Sequence, residues 1–397
     1  VTLLEARDRI GGRVLTRTDA QTGQALDLGA TWYWPETEPR ISTLLGELGL
    51  ATLAQHDPGD ALWLTDPNRQ PERRQEEGGV HAGARRIQGG AARLADALAA
   101  DLPAGCLQLG QPVRVLRDRG SHIDVMLETG APLRSRQVVL ALPPRLVHDR
   151  MLLDPPLPAT VWDAMENTAT WMATHAKALV AFDHAFWREA GQSGNAFVRH
   201  AQAVLGEVFD ACNEANGAAL GGFVALNPAQ REHFQRGLPL LIDSQLAQLY
   251  GQAAQSGRLQ LQDWALEPWT CSDTDRATPP EPPLADPLLR QPQWSGRVFL
   301  GGSETAAHGA GHMEGALEAA DRIAHALLRQ KAPIATTQAP VAEDREAALR
   351  AFAEGVAARA AAAPDQYRRH LTRLLSSQQH ELLTQRALLA TVDRVYS

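Results

Sequence analysis

The first fourteen residues constrain the fold more than any other stretch. Val1-Thr2-Leu3-Leu4 is a short apolar run, Glu5 closes it, and Ala6-Arg7 leads into a basic, turn-prone segment around Gly11-Gly12-Arg13. In a dinucleotide-binding βαβ unit, an acid at the end of the second strand accepts hydrogen bonds from ribose hydroxyls. Two adjacent glycines let a backbone pass close to a ligand. The pattern predicts a parallel α/β element with Glu5 at its strand end. It places Arg13 beside a phosphate or, on the plainer alternative, in solvent.

Composition narrows the class. The chain has 397 residues, 44% hydrophobic and 21% charged, with a net charge of -8. That length holds two domains or one interleaved body, and the acidic balance argues against a nucleic-acid or anionic-membrane surface. Cys106, Cys212 and Cys271 are an odd, widely spaced set. They fit a reducing, cytoplasmic compartment and no disulfide framework or metal site. No apolar run approaches the roughly 20 residues that span a bilayer.

Periodicity supplies the coarse elements. Strands are expected at 27–32, 112–116, 123–127, 176–182 and 221–226, and at 138–142 as a buried strand. Helices are expected at 41–50, 91–102, 240–250 and 313–328. Residues 66–84, rich in Arg, Glu and Gly, read as a surface loop. Residues 331–343 read as a linker, followed by helical stretches at 344–362 and 364–396. Leu375, Leu382, Leu389 and Tyr396 recur every seven residues. That spacing suits either a helix docked on the body or a dimerising coiled coil that would make the chain a homodimer.

Five ordered segments together resemble the flavin-containing amine oxidase family of monoamine and polyamine oxidases. They are the opening Glu5-to-Val14 run; Gln111-Pro112-Val113; Leu140-Ala141-Leu142-Pro143-Pro144 with Asp154-Pro155-Pro156-Leu157-Pro158; Lys177 with Phe186-Trp187; and the string from Gly302 to Ala316. The resemblance implies a mixed α/β fold, with a Rossmann-like FAD-binding domain (1–56, 103–165 and 271–330) interleaved with a smaller sheet-plus-helix substrate domain (57–102 and 166–270). A linker (331–343) and a helical tail (344–397) would follow. It implies FAD contacts at Glu5, Ala6, Arg7, Gly11, Gly12, Arg13, Gly29, Ala30, Thr31, Val113, Gly302, Glu304, Gly311, Met313 and Ala316. It implies catalytic places for Lys177, Trp264 and His312. An ammonium in the apolar run Lys177-Ala178-Leu179-Val180-Ala181-Phe182 is costly to bury unless partnered, which is why Lys177 stands out from sequence alone.

The chain also departs from the family pattern. No G-x-G-x-x-G occurs in it, so it is expected to be the later part of a longer FAD enzyme and, on its own, to bind FAD weakly or not at all. By alignment His312 and Thr274 replace the two tyrosines that flank the amine in monoamine oxidases. Cys271 lies two places from the position of covalent flavin attachment in some relatives, so non-covalent FAD is expected. The implied reaction oxidises an amine to an imine and passes electrons to oxygen, giving hydrogen peroxide. The alternatives are a flavin desaturase or oxidase of the same fold, and an inactive, partner-dependent scaffold.

Overall fold

The computed structural model describes residues 1–213 and 217–331, with Arg350, Ala357, Ala361, Pro364, Tyr367 and Arg368 beyond them. Residues 1–317 form one compact unit and residues 318–397 a second; the fold described is that of the first. The heptad-spaced leucines of the tail lie outside the described residues, as does most of the expected linker.

A seven-stranded sheet is the centre of the unit. Its strands are β1 (Asp60–Leu64), β2 (Glu72–Arg74), β3 (Ala176–Ala181), β4 (Gln192–Val198), β5 (Leu205–Asp210), β6 (Ala219–Val224) and β7 (Arg258–Asp263), in the spatial order β7-β3-β6-β5-β4-β1-β2. Only β1 and β4 pair in parallel within it. Every residue of β3 is buried, so both faces of the sheet are covered, and alternate side chains point to opposite faces. Ala176, Ala178 and Val180 pack with Leu238, Ile242, Leu246 and Leu249. Those four recur as one stripe of the helix Leu238–Tyr250, which opens with Pro239 where a missing N–H costs little. Leu179 and Ala181 turn the other way, onto Leu26, Leu28, Phe209 and Trp264. The same alternation sends Lys177 to that second face.

A four-stranded sheet (order Leu133–Ser135, Ile123–Leu127, Val113–Asp118, Leu152–Asp154) lies elsewhere in the unit. Two parallel pairs accompany it, Leu3–Leu4 with Leu107–Gln108 and Val138–Leu140 with Val298–Leu300. Two expectations need correction. The strand at 138–140 is not fully buried: it belongs to a two-stranded pair and Val139 is 43% exposed. Residues 66–84 are not all surface loop, because β2 pairs there with β1 and His81 is 2% exposed. The apolar run at 138–142 exaggerated burial, because a two-stranded pair leaves one side chain outside; at 66–84 a polar edge strand and one buried histidine leave no apolar run to read.

Two helices frame the future site. α1 (Pro39–Glu47) buries Ile41 and Leu45 against Tyr33 and Ile87. α2 (Met313–Lys331) follows the loop 306–312. Glu314, in its first turn, accepts from the Ile41 amide at 3.0 Å and the Arg40 amide at 3.3 Å. A carboxylate at a helix N-terminus satisfies orphan N–H groups and complements the dipole, so α1 is fastened to the start of α2.

Candidate active site

The sequence motifs converge through a continuous line of contacts. Gly29 and Ala30 donate their amides to Leu15 and Arg13 carbonyls at 3.0 and 3.2 Å. This lays the turn after Ala25–Asp27 against the Gly11-Gly12-Arg13 segment. Lys177 Nζ donates to the Gly29 carbonyl at 2.9 Å and to the Thr31 hydroxyl. The Trp264 indole N–H donates to Leu28 O at 3.1 Å. Lys177, Trp264, Gly29, Ala30, Thr31 and Arg13 are thus one cluster, drawn from segments up to 251 residues apart.

Arg13 joins this cluster to the C-terminal motif. Its Nη1 reaches Glu304 Oε1 at 2.5 Å and Trp171 O at 3.1 Å, and its Nη2 reaches Glu304 Oε2 and Ser303 Oγ at 2.9 Å each. The fork-on-fork geometry is the strong form of this pair. Burial alone would raise the Glu304 carboxyl, yet the Arg13 guanidinium beside it holds it below the ordinary value. These bonds use four of the five N–H groups a guanidinium has, and Glu304 balances its charge. Arg13 and Glu304 thus clasp the first motif to the last.

Trp171 fixes the other end. Its amide donates to Glu304 Oε1 at 3.2 Å, and its ring stacks on His312 with centroids 5.6 Å apart. Gly311, at φ +81°, faces the Trp171 side chain where a Cβ would stand. Gly311→Ala is expected to cost about 2 kcal/mol of stability from the left-handed backbone alone, with the collision adding to it; chemical denaturation reads the sum. His312 Nδ1 lies 3.2 Å from Glu38 Oε1. Thr274 bonds Asp149 rather than His312, with its hydroxyl 3.1 Å from Oδ1. Cys271 is buried, and burial pushes its thiol up to about 11, an unreactive state that suits non-covalent binding. Met313 packs with Tyr33 and Ile41, while Ala316 is exposed.

Glu5 ends the line on the opposite side. Its Oε1 accepts from the Arg7 amide at 2.8 Å and from Arg7 Nη1 at 3.4 Å. Arg7 continues to Glu267 at 3.3 Å and Thr270 at 2.8 Å, just past Trp264. Gln111 donates its amide to Glu5 O at 2.9 Å, which ties the segment leading into Val113 to the end of the first strand.

Two features of this surface suit a dinucleotide. Glu5 Oε2 accepts no hydrogen bond among the described residues, which leaves an acceptor for a ribose hydroxyl. The Gly12 and Arg13 amides donate to nothing among the described residues. Gly12, at φ +56°, has open space where a Cβ would stand. Two successive free N–H groups beside open space form an anion-binding concavity.

Residues 1–78 and 70–328 match the family model described as flavin containing amine oxidoreductase. The chain belongs to that family. It is 25% identical over 315 residues to amine oxidase [flavin-containing] B of Canis lupus familiaris, covering 74% of this chain and 57% of that protein. It is 27% identical over 254 residues to the probable flavin-containing monoamine oxidase A of Dictyostelium discoideum, covering 62% and 54%. The chain thus spans a little over half the length of these relatives. Among solved structures, a putrescine oxidase bound to putrescine superposes with TM-score 0.68 at 20% identity, over 83% of this chain and 93% of that one. Cyclohexylamine oxidase from Brevibacterium oxydans IH-35A gives 0.65 at 18%, over the same shares. These likenesses establish the mixed α/β fold. Among the described residues, no helix of this family member is long and apolar enough to cross a membrane.

Several partners of the site residues were not legible in the sequence. Asp27 is one: it is fully buried and accepts from Thr16, Ala91 and Asn213. Burial lowers the Lys177 ammonium to about 7; Asp27 opposes this and buried Arg86 adds to it. His81 is another. Burial alone would lower its imidazole, but Asp57 at 3.4 Å and Glu207 at 3.5 Å raise it to about 8. A folded-state value above the unfolded one gives stability that is complete below pH 6.5 and is lost as pH rises through 8. The shift corresponds to about 2 kcal/mol. The stability gap between wild type and His81→Gln is expected to narrow by that amount from pH 6 to pH 9 in chemical denaturation. The comparison with the variant isolates His81 from Lys177, whose lowered value runs the other way, favouring the fold as pH rises from 7 towards 10.5.

Proposed function

We propose that this chain carries the flavin and amine sites of an FAD-dependent amine oxidase, with FAD held non-covalently. The carrying observation is the buried Lys177 ammonium, fastened to Gly29 and Thr31 and lowered to about 7, at the junction of the Arg13–Glu304 clasp and Trp264. The chemistry that bound FAD would supply is acceptance of a hydride equivalent from the amine α-carbon and delivery of the electron pair to oxygen as hydrogen peroxide.

The chain's own residues position and tune. Glu5 takes the ribose, and the Gly12 and Arg13 amides take the pyrophosphate, alongside Ala6, Arg7 and Val113. Gly302, Gly311, Met313 and Ala316 line the approach of the ring. Lys177, near neutrality at physiological pH, holds or releases a proton at Nζ with little cost in either direction, which suits a group that assists reduction of oxygen. His312, with Glu38 on Nδ1, orients the amine by hydrogen bonding. The imine product hydrolyses in water to an aldehyde or ketone. On this reading residues 1–56, 103–165 and 271–330 bind FAD, and 57–102 and 166–270 bind substrate. The tail 344–397 would pair two copies, and the unpaired cysteines suit the cytoplasm.

The test is absorbance of the purified chain in the flavin bands with added FAD, followed by a peroxide-coupled assay on a panel of amines and amino acids. Yellow protein and amine-dependent peroxide support the reading. Colourless protein with no thermal shift on FAD addition favours the scaffold, or a fragment that needs a G-x-G-x-x-G segment to hold FAD.

A further inference from the structure

A buried ionic cluster lies next to the lysine, outside the line of cofactor contacts. His81 sits between Asp57 and Glu207, its ring nitrogens 3.4 and 3.5 Å from their carboxylate oxygens, within ion-pair reach but without hydrogen-bond alignment. Asp57 accepts the His81 amide at 2.9 Å and the Asn195 amide group at 3.0 Å. Glu207 belongs to β5, where it registers with Phe223 of β6, and Phe223 registers in turn with Lys177 of β3. Glu207 and Lys177 therefore lie on one cross-strand row, two strand spacings or about 10 Å apart.

The link between the two charges is Trp32. The His81 ring stacks on its indole, with centroids 4.5 Å apart at 28°. Lys177 Nζ lies 5.8 Å from the same ring, with Phe209 at 5.4 Å and Phe223 at 5.6 Å. Trp32 also donates its indole N–H to Gln55 at 2.7 Å. The residue before it, Thr31, takes the Lys177 ammonium. A cation stacked on an indole is held by the ring quadrupole. Loss of that charge loosens the indole and, through the peptide before it, the acceptors of Lys177. The charged groups facing His81 are Asp57, from the loop before β1, and Glu207, from β5; Lys177, from β3, shares the Trp32 ring with it.

We propose that His81 is a positioning residue for Lys177: as an imidazolium ion-paired with Asp57 and Glu207 and stacked on Trp32, it fixes that indole and so the Gly29–Thr31 acceptor pair. The inference rests on the reading of Lys177 as the lysine of the flavin site, and it adds a charge-state control to that site.

Lys177 and Lys331 are the only lysines in the chain, so nuclear magnetic resonance of [15N]lysine, [15N]histidine protein resolves the Lys177 Nζ directly. The chain without FAD is titrated from pH 6 to 9.5. Two inflections are expected in the Lys177 signal, its own near 7 and a second coincident with the His81 ring near 8. His81→Gln should remove the second. A single inflection in the wild type, or two that survive His81→Gln, overturns the proposal, and the wild-type arm needs no variant to fold. A residue that only filled space would leave Lys177 with one step. If both inflections appear and no amine is turned over, the functional reading falls and the positioning stands; if turnover is found with a single inflection, the positioning alone falls.

Discussion

Arg13→Ala is expected to lower the unfolding free energy by about 3–5 kcal/mol, the cost of leaving a buried charge without its partner. Glu304 is fully buried and takes two of the four Arg13 bonds. Removal of the guanidinium leaves that carboxylate without a counter-charge, with the Ser303 hydroxyl and Trp171 amide still donating to it, frees the Trp171 carbonyl, and parts the Gly11–Arg13 segment from the loop of residues 302–312. Against a total stability of roughly 5–15 kcal/mol for a typical domain, the loss is large. Arg13→Lys keeps the charge but not the fork, so it should fall between. The double change Arg13→Met with Glu304→Leu should recover most of the loss, because it leaves no unpaired charge. Urea denaturation of the four proteins separates these cases. A cost under about 1 kcal/mol for Arg13→Ala, the range of solvent-exposed pairs, would mean that the clasp does not hold the two motifs together.

Lys177→Met is expected to split stability from function. An ammonium lowered to about 7 by burial is a liability to the fold below its ordinary range, so a methionine of similar length should leave the protein at least as stable at pH 6. Turnover should move the other way. Loss of one preorganised charged donor at a reacting centre costs about 10²-fold in rate. If Lys177 assists the oxygen step, the loss falls on oxygen-dependent peroxide formation, while anaerobic bleaching of the flavin bands by amine is largely spared. Stopped-flow measurements of the two half-reactions distinguish this from a general collapse of the site, which would slow both.

The sequence carries the site's backbone signals well and its side-chain partnerships poorly. Glu5, Gly12 and Gly311 are legible because strand ends and positive-φ turns demand particular residue types locally. Lys177 is legible because a lone charge in an apolar strand is expensive. The Arg13–Glu304 pair was not legible for the opposite reason: the partner lies 291 residues away, and a basic residue beside two glycines carries no local sign of a distant carboxylate. His81 was hidden in a polar stretch, where burial depends on β1, β4 and β5 meeting over long range. The helix at 238–250 announced itself through its own period, and the sheet beneath it did so only in part. The pairing of β1 with β4 joins residues more than 130 positions apart, and no local pattern specifies such a contact.

FAD is expected to seat against Lys177. Because the chain holds only two lysines, adding FAD to [15N]lysine-labelled protein reads this in one spectrum. Binding should shift the Lys177 Nζ resonance and its titration midpoint while Lys331 stays in place. Saturable FAD binding that leaves the Lys177 resonance unmoved would contradict the account.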